Sequence, residues 1–281
     1  MTSKRTPAGR NRPSPLEPEV EATVQPDPVP ADAPAAPDVT PPDPAPSGAL
    51  AGPAVPPGLP AEWRWPAVHR EGWPFVGAAA AVALLAHLFG WTVLGWLGVL
   101  ATAAIAAFFR DPERSVPPGD DLLVAPADGL VCQIAEVEVP RQLLGPDGLA
   151  PGRLTRISIF LSVFDVHVNR TPIAGTVRRL VYVPGLFLNA SLDKASEDNE
   201  RSCMVVEALD GTRVGVVQIA GLVARRIISF VHPGAMLAAG QRYGLIRFGS
   251  RTDVYVPAGW VVEVRKGQRT IGGETVLARR A

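Results

Sequence analysis

The chain has 281 residues with 27 basic and 27 acidic side chains, so its formal net charge is zero. No bulk positive charge is available to draw it onto nucleic acid, and two cysteines without metal-ligand spacing exclude both a disulfide scaffold and a cysteine-based zinc site. Cys132 and Cys203 read as small buried apolar residues.

Seventeen of the 30 prolines fall in the first 60 residues, where Ala, Asp and Glu supply 17 of the other 43. Such a stretch cannot bury enough apolar surface to offset its ordering entropy, and residues 1–60 are predicted to be disordered. No apolar run follows the early basic residues Lys4, Arg5, Arg10 and Arg12 before residue 74, which argues against a secretory signal and for a cytoplasmic N-terminus.

Trp63, Trp65 and Trp73 then precede a stretch from Phe75 to Phe109 without a formal charge. Tryptophans beside an apolar run suggest a membrane interface. As one helix these residues would measure roughly 52 Å, too long for a hydrocarbon core of about 30 Å, yet they are too few for two full spans. The reading favoured here is two short apolar helices, near 75–88 and 92–109, turning around Gly90 and dipping into one leaflet; one long tilted span is the alternative. Arg64 and Arg70 before the stretch and Arg110 and Arg114 after it leave the sidedness balanced.

From Asp120 onward the pattern becomes that of strands: LLVAP at 122–126, GLVCQIAEVEV at 129–139, RISIFLSV at 156–163 and GTVRRLVYV at 175–183, with further short runs to residue 264. These are rich in Val and Ile and are punctuated by Asp-Gly turns at 128–129 and 210–211. The fold predicted is mainly β (α+β): one antiparallel domain of sandwich type over 115–281, preceded by the helical membrane hairpin over 61–114 and the Pro-rich tail. A short helix is expected within 191–202.

His167 and His232 are the two histidines of the β region. There is no His-x-His, no His-Glu-x-x-His, no Gly-x-Ser-x-Gly and no Walker phosphate loop, so the common hydrolase and nucleotide chemistries lose ground. What stands out is a series of unusual short segments: FFRDPERSVP at 108–117, PADG at 126–129, FDVHVNRTP at 164–172, DNERS at 198–202 and GQRYGLIRFGSRTDVYVP at 240–257.

Together, and in this order, these segments resemble the phosphatidylserine decarboxylase family, in its short membrane-associated bacterial form. The resemblance implies an enzyme made as a proenzyme that cleaves itself at Gly249-Ser250 into chains 1–249 and 250–281. It further implies that Ser250 becomes an N-terminal pyruvoyl group, the covalent cofactor, which forms a Schiff base with phosphatidylserine and lets its carboxylate leave as carbon dioxide. Chemistry agrees with the pair: a serine attacking its own preceding carbonyl needs a bent peptide, which glycine tolerates, and the resulting ester can eliminate toward pyruvoyl and ammonia. His167 is the candidate proton donor to the decarboxylated carbon, and Asp128 of PADG the carboxylate that orients or stabilises an imidazole. Where the longer subfamily carries a second histidine three residues after the first, this chain has Arg170, so the residue serving self-cleavage is left open. Arg170 and Arg201 are candidates for the lipid phosphate or carboxylate.

The implied partners are phosphatidylserine, a membrane on its cytoplasmic face, and the chain's own small fragment. A non-catalytic lipoyl- or biotinyl-like module is the competing reading, since VAPADGLV and VHPGAMLAAGQRYGLI look like carrier-domain turns. Its modified lysine would have to be Lys194 or Lys266, and neither is flanked by the usual methionine.

Overall fold

The computed structural model describes residues 65–185, 199–221, 226–247 and 250–281. The Pro-rich tail, Gly249 and most of the expected helix at 191–202 lie outside the described residues; Arg201, in that same segment, opens a strand.

Two apolar helices come first, α1 (Trp73–Leu88) and α2 (Thr92–Phe108), between the short paired strands β1 (Ala67–Val68) and β2 (Arg110–Asp111). Pro74 lies in the first turn of α1, where a missing N–H costs nothing. Gly90 turns the chain between the helices with φ +77°, a conformation that a side chain would resist. The helices lie against each other with Ala83 packed on Gly98, yet most of their large side chains, among them Leu88, Trp91, Trp96 and Leu100, face outward.

The strands continue as β3 (Leu122–Val124), β4 (Gly129–Glu138), β5 (Arg153–Leu161), β6 (Val168–Arg170), β7 (Gly175–Val183), β8 (Arg201–Glu207) and β9 (Arg213–Ala220). After them come β10 (Ile227–Ser229), β11 (Met236–Leu237), β12 (Arg242–Ile246), β13 (Ser250–Val256), β14 (Trp260–Val262), β15 (Arg269–Thr270) and β16 (Val276–Arg280). Among the described residues they build an eight-stranded sheet in the order β11-β7-β8-β9-β13-β5-β4-β15, and two three-stranded sheets, β10-β12-β6 and β14-β16-β3. Every strand pair is antiparallel, as the alternating Val/Ile runs and tight turns required.

The main core lies where the large sheet meets β3 and β16: Ile157, Ile159 and Val254 from one side, Leu123, Leu277 and Ala278 from the other. The opposite face of the large sheet is covered by the 139–149 segment, whose Leu143 and Leu149 pack on Cys203, Ile219 and Tyr255. With both faces covered, β13 is buried along its whole length. Cys203 is buried as expected, but Cys132 is only half-buried, because its strand nears the sheet edge and its thiol donates to the Ser158 carbonyl at 3.3 Å.

A third cluster joins the helices to the β domain. Phe108 and Phe109, at the end of α2, are buried against Val166, Val168 and Leu245.

Candidate active site

Ser250 is the first residue of β13 and is fully buried between Leu161 of β5 and Ala220 of β9. Among the described residues its Oγ has no hydrogen-bond partner. A buried hydroxyl left unpaired costs about 1–3 kcal/mol.

His167, also fully buried, stands at the same level in the sheet packed above, and register establishes this. Gly244 of β12 lies so close to Gln218 of β9 that a Cβ would come within 2.9 Å of its Nε2, a close approach that only glycine permits. One step further, Ile246 clusters with Ala220. On the other side of β12, Gly244 is opposite Asn169 and Leu245 opposite Val168, and the Ile246 N–H donates to the His167 carbonyl at 3.3 Å. Moving from Asn169 to His167 therefore follows Gln218 to Ala220 on β9 and Thr252 to Ser250 on β13. The first level is a closed polar seam: Gln218 Nε2 donates to Asn169 Oδ1 at 2.7 Å, and Asn169 Nδ2 to Thr252 Oγ1 at 3.4 Å. The second level holds His167 and Ser250.

The His167 ring is positioned on two sides. Its Nδ1 lies 2.9 Å from the backbone carbonyl of Asp165, and a carbonyl only accepts, so Nδ1 carries the proton and Nε2 a lone pair. The ring of Phe108 covers the imidazole at 4.2 Å. Among the described residues, Nε2 is buried and without a partner. Burial pulls the His167 pKa down to about 4, and the Asp165 carbonyl only partly opposes this, so the ring is neutral at neutral pH.

Asp165 is itself clamped. Its carboxylate accepts from Ser162 N at 2.8 Å and Ser162 Oγ at 2.7 Å, and it pairs with Arg269. Sequence reasoning passed over Asp165, although Ser-x-x-Asp ahead of His167 is a local turn signal that could have found it. Phe108 was absorbed into the apolar run, and only its packing reveals its place against the imidazole.

Asp128 sits at the head of β4, two strands from Ser250. Its carboxylate accepts from Arg114 at 2.7 Å and from Gly272 N at 2.7 Å, while the His167 ring is held by the Asp165 carbonyl instead. Arg170 is buried and pairs with Asp111 at 3.1 Å, and it donates to the carbonyls of Gly240 and Pro112 at 3.0 and 2.8 Å; Asp111 also binds Arg242 at 2.6 Å. Arg170 is thus occupied within the fold. Arg201 donates to the Asn199 carbonyl at 3.2 Å, and His232 is exposed, with its ring on the Pro233 carbonyl. The segments that carried the resemblance are therefore knitted together: FFRDPERS supplies Asp111 to NRTP and GQRY, and Arg114 to PADG.

Residues 101–278 match the phosphatidylserine decarboxylase family, and this range takes in the helix end, His167, Ser250 and the clamp residue Arg269. The chain belongs to that family. Similar curated proteins carry the name phosphatidylserine decarboxylase proenzyme. That of Erythrobacter litoralis is 55% identical over 224 residues, spanning 78% of this chain and 90% of the relative. Those of Novosphingobium aromaticivorans and Zymomonas mobilis are 54% and 51% identical, covering 78% and 77% of this chain and 88% of each relative.

Within the family frame, a pyruvoyl group at position 250 can be tested against the site. Elimination and hydrolysis put the ketone on the former Cα and leave the side chain as a methyl, which removes the hydroxyl that has no partner among the described residues, while His167 lies at the same level of the facing sheet. The residues present fit the group.

Proposed function

We propose that this chain decarboxylates phosphatidylserine to phosphatidylethanolamine and carbon dioxide, after cutting itself at Gly249-Ser250. The observation that carries the reading is the pairing, in one buried layer, of two polar atoms without partners: Ser250 Oγ and His167 Nε2.

In self-cleavage, neutral His167 takes the Ser250 proton through its Nε2 lone pair as Oγ attacks the Gly249 carbonyl; the Gly249–Ser250 C–N bond then breaks as that proton passes to the Ser250 nitrogen, leaving the ester that eliminates. The dry pocket strengthens this proton transfer and keeps competing water away. A pyruvoyl group at 250 would supply an electrophilic carbonyl that engages the substrate amine and draws off the electrons released by the departing carboxylate. Each decarboxylation consumes one proton, and neutral His167 would relay it, taking a proton from solvent onto Nε2 and passing it to the substrate carbon. The Asp165 carbonyl holds the ring in one tautomer throughout.

The fragment 250–281 stays with the body after cleavage. Its first strand, β13, is paired along its length with β5 and along most of it with β9, so the new terminus lies inside a fully hydrogen-bonded sheet. Cleavage removes one covalent bond and no strand pairing.

The substrate is a membrane lipid, and the outward-facing side chains of α1 and α2 suit insertion into the bilayer from its cytoplasmic face. The helical segment Arg70–Leu88, 19 residues, is long and apolar enough to cross a membrane by length and composition, whereas α2 is shorter. In this reading the two antiparallel helices dip in and return around Gly90, and their foot, where Phe108 covers His167, lies at headgroup depth.

The test is the intact mass of the purified protein. Two species are expected, 1–249 and 250–281, the smaller lacking a free amino terminus, and Ser250→Ala should give a single full-length species without activity. A full-length active chain would overturn the reading.

A further inference from the structure

Between β5 and β6 the chain makes a tight turn over Ser162–Asp165, two residues before His167. Asp165 N donates to the Ser162 carbonyl at 2.9 Å, and the Asp165 carboxylate accepts from both Ser162 N and Ser162 Oγ. At the tip of this turn stand Val163, 50% exposed, and Phe164, 82% exposed. The turn is fixed at both ends, so Phe164 is held out by hydrogen bonds and cannot fold back onto the core. A large aromatic side chain held rigidly in water is an unmet apolar contact.

The same turn is fastened to the foot of the helical hairpin. One Arg110 guanidinium nitrogen donates to the Ala107 carbonyl of α2 at 2.7 Å and the other to the Phe164 carbonyl at 2.6 Å. Trp73, 58% exposed, opens α1 at the same foot. Cations accompany this ring: Arg110 itself, and Arg269, 67% exposed on its side chain and paired with Asp165.

We infer that the Val163–Phe164 turn is a second membrane contact, which enters the headgroup boundary of an anionic bilayer beside the hairpin and seats the His167 pocket against the lipid surface. This inference rests on the proposed reading of the hairpin and the lipid substrate. Aromatic and basic side chains at one depth are what a bilayer interface selects, and the occupant is fixed by continuity with the apolar helices and by the complementary charge. The hairpin alone would let the domain swing about its foot; a second contact fixes the pocket toward the lipid.

The experiment uses the full chain in vesicles containing phosphatidylserine, with p-benzoylphenylalanine replacing one residue at a time. The positions are Phe164, Leu97 in the hairpin, and Leu209, fully exposed at the turn beyond β8, at the opposite end of the strands from Ser250. Irradiation should couple lipid to positions 164 and 97 and none to 209. Coupling at 97 without coupling at 164 would overturn the second contact and leave the hairpin standing. Coupling at neither would overturn both, and coupling of 164 to a second protein chain would replace the lipid as occupant. In parallel, Phe164→Ser should mature normally and turn over water-soluble short-chain phosphatidylserine like the unsubstituted enzyme, while losing about tenfold on vesicles, the scale of one aromatic anchor. Equal losses on both substrates would assign Phe164 to the pocket and refute the inference. Absence of carbon dioxide from the unsubstituted chain would undo the proposed function, and the crosslinks would still decide the membrane contact.

Discussion

If His167 is the base proposed above, its burial in the neutral form makes self-cleavage insensitive to acid over a range where an ordinary histidine would fail. With a pKa near its usual 6.5, only about 3% of the imidazole would be the free base at pH 5; with the pKa held at about 4 by burial, about 90% is. The two cases differ about 30-fold in the concentration of the free-base imidazole proposed to activate Ser250. Precursor kept unfolded in denaturant can be diluted into detergent buffers from pH 5 to 8, and release of the 250–281 fragment followed on gels. The expected rate is flat to within about twofold down to pH 5. A rate that drops about tenfold for each pH unit below 6.5 would mean that water reaches the ring, and would refute the argument from burial.

The same burial predicts acid lability. The unfolded chain takes up the His167 proton near pH 6.5 and the folded one only near 4, so stability falls as pH drops through that window, by about 3 kcal/mol in all, and levels off below it. Urea midpoints of the unsubstituted chain and His167→Gln, measured from pH 7 to pH 4, should diverge by that amount, and parallel curves would contradict it. Phe108→Ala should cost about 3–5 kcal/mol by emptying a packed site, and should restore acid sensitivity to cleavage by wetting the imidazole; thermal melts and the pH profile check both. Asp111→Asn weakens the partner of both Arg170 and Arg242, and should lower stability by about 3 kcal/mol in a melt. Asp128→Asn should slow processing by loosening Arg114 and the Gly272 turn, and an unchanged rate would reduce Asp128 to a structural turn residue.

Much of this was legible in the residues themselves because the signals are local. Val- and Ile-rich runs broken by Asp-Gly turns announce antiparallel strands, and the uncharged stretch with a glycine in the middle announces two helices. Gly249-Ser250 and His167 stood in segments whose order matched one family. What no local pattern carries is pairing at a distance. Arg170 and Arg201 looked equally available to a lipid phosphate, and Asp111, 59 residues before Arg170, is what commits Arg170 to the fold. Asp128 looked like the natural partner of an imidazole, whereas the His167 ring rests on the carbonyl of Asp165, a backbone atom that no side-chain pattern can advertise.

The sequence by itself determined the chemistry available, namely a serine behind a glycine, one histidine in a family segment and an apolar foot for a lipid enzyme, because covalent identity and short-range periodicity are written residue by residue. The tertiary structure alone decided which atoms are dry and which are satisfied. Burial and hydrogen-bond partnership arise from residues brought together across β6, β9, β12, β13 and α2, and it is that enclosure, shared by no single segment, that leaves Ser250 Oγ and His167 Nε2 without partners in the same layer.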